Sequence, residues 1–303
     1  MYLCTRKGLD EKNIVMKKIF TLLVGLTVFA ASVWASFILV DKIYYDFDDT
    51  NLTATVTYQG GTAGEDPNQY VGEITIPDSV TYNDHRYAVT AIGDKAFYNS
   101  IALNSVVIPE GVTSIGDEAF AKCPLLNYVT VPNSVTTVGT TPFLDSEKME
   151  DLVYNAHIFI YLLVSYGGDF AIPEGIEQIA SGAFLACHHL TGVKIPNSVT
   201  TIDSRAFEWC NQLTSISCAA VIPPTCGEGV FGHVDQANCK LYVPDNSLEA
   251  YRSADQWKEF DIRAMTEGIE EAESKESRAK SQKILRDGQL LIIRNNEIYK
   301  QQA

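Results

Sequence analysis

The chain has 303 residues, 46% of them hydrophobic, and a formal net charge of −15. That length and apolar content support a sizeable core and exclude a disordered chain. The negative balance argues against nucleic acid as a partner, because a protein that binds phosphates needs a positive face.

Residues 1–15 fit no pattern and read as an upstream extension. Residues 16–35, MKKIFTLLVGLTVFAASVWA, have the parts of a secretory signal peptide. Lys17 and Lys18 form the charged start and Ile19 to Ser32 the apolar stretch. Val33 and Ala35 are the small residues before a cut at Ser36. No charge occurs between Lys18 and Asp41, so an uncleaved anchor is the rival reading. Membrane contact is otherwise expected only through export or surface attachment. Cleavage near Ala35 would make the mature protein more acidic, at −18, since residues 1–35 carry five basic and two acidic side chains.

Residues 36–90 read as an N-terminal β cap with a first-coil hairpin. Ile43 to Phe47 and Leu52 to Tyr58 are β-rich. Leu52, Ala54, Val56 and Tyr58 alternate with threonines, as in a half-buried strand. A run from Tyr82 to Tyr87 looks like a hairpin.

From there the chain repeats. Residues 109–120 read PEGVTSIGDEAF, 132–143 PNSVTTVGTTPF, 173–184 PEGIEQIASGAF and 196–207 PNSVTTIDSRAF. Phe97, Phe120 and Phe143 are 23 apart, as are Phe184 and Phe207. A fixed period of this size marks a solenoid, whose units bury their apolar faces against one another. Leu103, Val106 and Ile108 open one copy, with Leu126, Val129 and Val131, then Leu190, Val193 and Ile195, in the next ones. Their period-two step puts them on one face of a strand, and the following proline ends it. A second short strand, V-T-x-I, comes next. The A-F-x-x-C step suits a tight helical turn that drops Phe and Cys into the core.

The repeated I-P…V-T-x-I-G…A-F-x-x-C signature resembles the BspA-like leucine-rich-repeat family over roughly residues 71–218. The resemblance implies a right-handed leucine-rich-repeat solenoid, β-dominated with short helical turns and β caps at both ends. Roughly five to six coils are expected in the stack. Pro142 replaces the Ala before Phe143, and Ser146 stands where Cys123, Cys187 and Cys210 stand in other coils. Phe143 to Phe184 spans 41 residues, 18 more than one period. The excess resembles the hairpin insertion frequent in this family and is placed near 154–171. Residues 219–263 read as a C-terminal cap, with a helix from Ser247 to Phe260 that has Ser247 at its N-cap. Residues 264–282 form a charged linker. Residues 283–303 return to β character, with Asp287-Gly288 and Asn295-Asn296 as turns. This tail resembles the C-terminal sorting segments of proteins exported by type IX secretion.

Candidate chemistry is sparse. Cys123, Cys187 and Cys210 share one repeat position and read as buried thiols. Export permits a disulfide in the terminal coil, and Cys226 with Cys239 is the favoured pair, although spacing does not fix connectivity. Cys187-His188-His189 does not make a metal site, because adjacent residues do not converge on one ion and no second cluster exists. No metal or cofactor is expected, and no G-x-S-x-G, H-E-x-x-H or P-loop occurs. The outward positions of the first strand are Val107, Thr130, Lys194 and Ser217, beside Ser105, Tyr128, Gly192 and Ser215. A solvated sheet face requires no more than this. As binding candidates we single out Tyr128 and Lys194 on that strip, with Tyr161 and Tyr166 on the expected hairpin. Aromatic anchors are favoured at interfaces, but Ile158, Ile160, Leu162 and Val164 must be buried somewhere. The family resemblance implies a secreted or cell-surface binding protein that adheres to host proteins or other cells. Its ligand would be a protein or glycan, with no enzymatic activity. The alternative is a carbohydrate-processing enzyme or accessory protein that uses the hairpins as its site.

Overall fold

The structure is a computed structural model. It describes residues 38–59, 63 and 70–267, and the backbone of three strands between 282 and 300. The upstream extension, the signal stretch with its cut at Ala35 and most of the charged linker lie outside the described residues.

The chain opens with an antiparallel meander: β1 (Ile38–Val40), β2 (Ile43–Asp48) and β3 (Thr53–Thr57). Ala54 and Val56 turn inward from β3, as their alternation with threonine requires. After β4 (Val71–Thr75), β5 (Ser79–Tyr82) and β6 (His85–Ile92) form the expected hairpin. Its two-residue turn, Asn83-Asp84, has φ of 49° and 64°, the left-handed pair that matches strand twist and that Asn and Asp tolerate.

Two stacks of parallel strands run the length of the solenoid. The second-strand stack comprises β3, β6, β8 (Ser114–Ile115) and β10 (Thr137–Val138), followed by β12 (Ile158–Tyr161), β14 (Gln178–Ile179), β16 (Thr201–Ile202) and β18 (Thr225–Cys226). The first-strand stack comprises β4, β7 (Ala102–Val107) and β9 (Tyr128–Thr130), followed by β13 (Gly168–Ala171), β15 (Leu190–Ile195), β17 (Ser215–Cys218), β19 (Lys240–Val243) and β20 (Asp261–Ala264). The result is about eight turns rather than five to six, because the caps join the stacks as further rungs.

The A-F-x-x-C step is a turn without a helix. Glu118 and Lys122, and likewise Arg205 and Trp209, have φ between 50° and 64°. Left-handed residues four apart stop a helix from propagating. Backbone groups bond to the neighbouring coil instead: Phe97 N–H donates to Ala119 C=O at 2.8 Å and Phe207 N–H to Val230 C=O at 2.8 Å. Inside, the phenylalanines stack. Phe97–Phe120 and Phe120–Phe143 centroids are 5.1 and 5.2 Å apart with rings within 9° of parallel. Phe184–Phe207 and Phe207–Phe231 continue the column at 4.5 and 5.6 Å. All of these rings are buried, and each removes enough apolar surface to contribute about 1.5–3 kcal/mol.

The 41 residues between Phe143 and Phe184 hold no projecting hairpin. They are two shortened coils. Ile179 holds the place of Val138 in its repeat, and β12 sets Phe159 opposite Ile179. The two periods are therefore 21 and 20 residues. The residues are lost in the turns. Leu162 N–H donates to Ala183 C=O at 2.8 Å, as Phe184 N–H donates to Ala206 C=O at 2.7 Å. Leu162 thus takes the place of the phenylalanine, three residues after Phe159, where Phe184 is five after Ile179. Both stacks break here: β9 and β13 are edges of separate sheets, and β10 is the last strand of its sheet while β12 belongs to another, in which its far side is taken by β11 (Val153–Tyr154). The core divides at the same point. Ile158, Ile160 and Tyr161 belong to one cluster, Phe159 and Leu162 to the other. Strand β12 is buried along its whole length as the wall between them.

At the C-terminal end, the helix α1 spans only Leu248–Ser253. It is shorter than expected because Ala254 is extended, which lets Trp257 turn inward to donate from Nε1 to Pro224 C=O at 2.9 Å. Ser247 sits at the N-cap, but its hydroxyl makes no capping bond. Trp257 and Phe260 meet the last ring of the column, Phe231, edge-on. The tail forms an antiparallel sheet of β21 (Gln282–Arg286), β22 (Gln289–Arg294) and β23 (Glu297–Lys300).

Candidate binding surface

The parallel register lines up the outward residues of the first-strand stack. Ser105 lies opposite Tyr128 and Val107 opposite Thr130. Beyond the break, Ala171, Lys194, Ser217, Tyr242 and Arg263 make one row, with Asp169, Gly192, Ser215, Lys240 and Asp261 beside it. Between the rows, Val106, Val193, Ile216 and Leu241 point into the core. The strip mixes both signs of charge, so it carries no single-signed field. Gly192 is required by its neighbour: a Cβ there would lie 2.6 Å from Asp169 Oδ1, which also accepts from Thr191 Oγ1 at 2.7 Å.

The strip is interrupted at the shortened coils. After β9, Glu150 N–H still donates to Asn127 C=O at 3.0 Å, but residues 151–154 leave the sheet, and β11 pairs antiparallel with β12. An open groove of about 420 Å³ remains, lined by Tyr128, Thr130, Val131, Asp151, Leu152 and Tyr154. Tyr128 is 44% and Tyr154 45% exposed. On the opposite, turn-bearing side, the missing residues leave a cavity of about 90 Å³ bordered by Thr141, Ser146, Tyr161 and Gly182.

The four binding candidates thus separate. Tyr128 lines the groove and Lys194 is exposed on the strip. Tyr166 is half-buried, edge-on to Phe170, and its hydroxyl donates to Asp169 C=O at 2.9 Å. Tyr161 is a correction: it is 6% exposed and packs against Phe143 at 5.5 Å. It is buried because both faces of β12 are covered. Tyr154 was missed. Met149, Leu152 and Tyr154 follow Leu126, Val129 and Val131 at the 23-residue period, which points Tyr154 inward; it is exposed because the strand leaves that register to pair with β12.

The expected Cys226–Cys239 disulfide is not formed; both thiols are free. Cys226 ends β18 in one sheet, whereas Cys239 precedes β19 in the other. Burial pushes the thiols of Cys123, Cys187, Cys226 and Cys239 up to about 12. At neutral pH they are protonated and poor nucleophiles. His188 Nδ1 lies 3.0 Å from Trp209 C=O, and His233 stacks on the exposed Trp209 at 3.6 Å. Among the described residues no group of three or more His, Cys, Asp or Glu side chains is placed to hold a metal.

The model of the BspA type leucine rich repeat region matches residues 90–161 and 167–251, in 6 copies. The interval between the two matches falls on the shortened turn. Among solved structures, a leucine-rich repeat protein from Bacteroides ovatus is 19% identical, with 68% of this chain and 70% of that chain covered and a TM-score of 0.39. The T. pallidum leucine rich repeat protein is 21% identical, with 65% and 88% covered and a TM-score of 0.47. No curated protein matches the chain.

Proposed function

The chain belongs to the BspA-type leucine-rich repeat family, and from that premise we propose that it is an exported protein that binds a protein or glycan on another cell or matrix. The binding surface is the exposed strip of the first-strand stack, with Tyr128 and Lys194 among its contacts. The observation that carries this reading is the pair of half-exposed tyrosines, Tyr128 and Tyr154, beside a groove in an otherwise regular sheet. Aromatic side chains with one apolar face in water are the usual anchors of an interface. Export is supported by the charged start, apolar stretch and small-residue site of residues 16–35. Adhesion rather than catalysis fits a surface of side chains lined up in register along a parallel sheet.

An array of matrix proteins and glycans, probed with residues 36–303, tests the proposal. We expect at least one ligand whose affinity falls when Tyr128→Ser and Lys194→Glu are combined, with the circular dichroism spectrum unchanged. Unchanged affinity would move the site off this strip. Turnover of a polysaccharide without a retained ligand would overturn the binding role.

A further inference from the structure

The edge of β9 is a strand terminus in the middle of the molecule. On one side it pairs with β7 through Tyr128, Val129 and Thr130. On the other, the chain that follows gives a single backbone bond, from Glu150 N–H to Asn127 C=O at 3.0 Å. In a regular coil the same rung carries a run of register pairs, as β15 does with β17. Here Val153 and Tyr154 are drawn off to β12, because the loop from Asn155 to His157 is two residues shorter than Pro132 to Thr136. Donors and acceptors along β9 therefore face a groove instead of a strand.

An uncovered strand edge is a template for another strand. A peptide that adds to it needs about 4.8 Å of lateral room and advances about 3.3 Å per residue, so three or four residues match β9. Coils flank the groove on both sides along the solenoid axis. The far side of the groove is bounded by Asp151, Leu152 and Tyr154 of the next coil, so the matching occupant is a single extended chain rather than a second folded sheet. Among the described residues, Asp151 is the only charged side chain in the lining; it is exposed, and exposed Glu150 adjoins it. Tyr128 and Tyr154 stand at the walls, with Tyr154 stacked on Phe159 at 6.1 Å. Backbone pairing supplies affinity in such sites and flanking pockets supply specificity.

We propose that β9 is the docking edge for an extended peptide segment of a protein ligand, one that carries a basic residue opposite Asp151. This rests on the binding role proposed above and names the kind of partner it takes. The test is fluorescence anisotropy of the mature chain with a labelled peptide of alternating Val and Thr flanked by Lys. A second peptide, N-methylated at alternate backbone nitrogens, removes the donors of one edge. We expect saturable binding that weakens at least about tenfold, the factor equivalent to 1.4 kcal/mol, on N-methylation, with Glu in place of Lys, and in Asp151→Lys. Asp151 is exposed, so this variant should keep the fold, which circular dichroism checks. Absence of saturable binding, or equal binding of the N-methylated peptide, would overturn the proposal. An array ligand that binds tightly but is not displaced by the peptide would also overturn it while leaving the wider binding role intact. Peptide binding without any array ligand would support the edge and count against the adhesive role.

Discussion

One position in each coil explains why cysteine recurs and why serine can replace it. Cys123 Sγ donates to Phe97 C=O at 3.0 Å, and Cys210 Sγ to Phe184 C=O at 3.1 Å. Ser146 does the same with its hydroxyl, donating to Phe120 C=O at 2.7 Å and accepting Cys123 N–H at 3.0 Å. The side chain is thus a hydrogen-bonded tie between successive coils as well as an apolar filler. Ser146→Ala leaves a buried N–H and a buried carbonyl unpaired, at a cost of about 1–3 kcal/mol. Ser146→Cys restores the usual tie and should cost less. Equal loss in both variants by urea denaturation would show that the bond contributes nothing. Asp203 gives a pH-dependent case. Burial raises its carboxyl above the ordinary carboxylate range, against the bond it accepts from Gln178 Nε2 at 2.6 Å. A carboxyl whose folded pKa is raised holds its proton more tightly when folded, so its contribution to stability falls as pH rises through that range. Asp203→Asn keeps an acceptor and removes the charge. It should raise Tm at pH 7 and give no gain at pH 3, where the native carboxyl is protonated. A gain that is the same at both pH values would assign the effect to packing.

Among the elements, β12 departs furthest from the repeat and has the clearest consequence. Ile158 to Leu162 is a continuous apolar run because both its faces are covered, the pattern of a strand buried on two sides. Tyr161→Ser removes a buried ring from the Phe143 column and should cost about 3–5 kcal/mol, as other large aromatic truncations do. Tyr166→Ser should stay within about 1 kcal/mol, because the ring is half-buried and its hydroxyl bonds only to Asp169 C=O. Chemical denaturation of the two variants compares them directly. Similar costs would mean that β12 is not the wall between the clusters. The strand itself was legible from its residues; its place was not. An excess of 18 residues over one period and two coils of 21 and 20 have the same length. Only the pairing of Phe159 with Ile179 separates them.

Over the whole molecule, the shortened coils make a seam. Two sheets break there and the apolar core divides into two clusters. In a solenoid, stability is a sum of coil and nearest-neighbour terms, so cooperativity passes through each interface in turn. An interface without strand pairing in either stack is the weakest link. Among the described residues both tryptophans, Trp209 and Trp257, lie C-terminal to the seam. In a chain that begins at Ser36, and so lacks Trp34, tryptophan fluorescence therefore follows the C-terminal stack, whereas far-ultraviolet circular dichroism follows both. We expect the two urea transitions to differ in midpoint. Coincident transitions would show that the seam couples the stacks as tightly as regular coils do.

The sequence by itself determined the solenoid, the phenylalanine column, the inward and outward rows of the strands and the turn of the first hairpin. These follow from local rules: period-two alternation, proline at the end of a strand, and a 23-residue period that puts like residues in contact. Tertiary structure alone decided the burial of Tyr161, the separation of Cys226 from Cys239, and the groove beside Tyr128 and Tyr154. Each depends on which coil a segment joins when the period changes. That choice is made by competition between backbone pairing and the covering of two core faces, over residues remote in the chain.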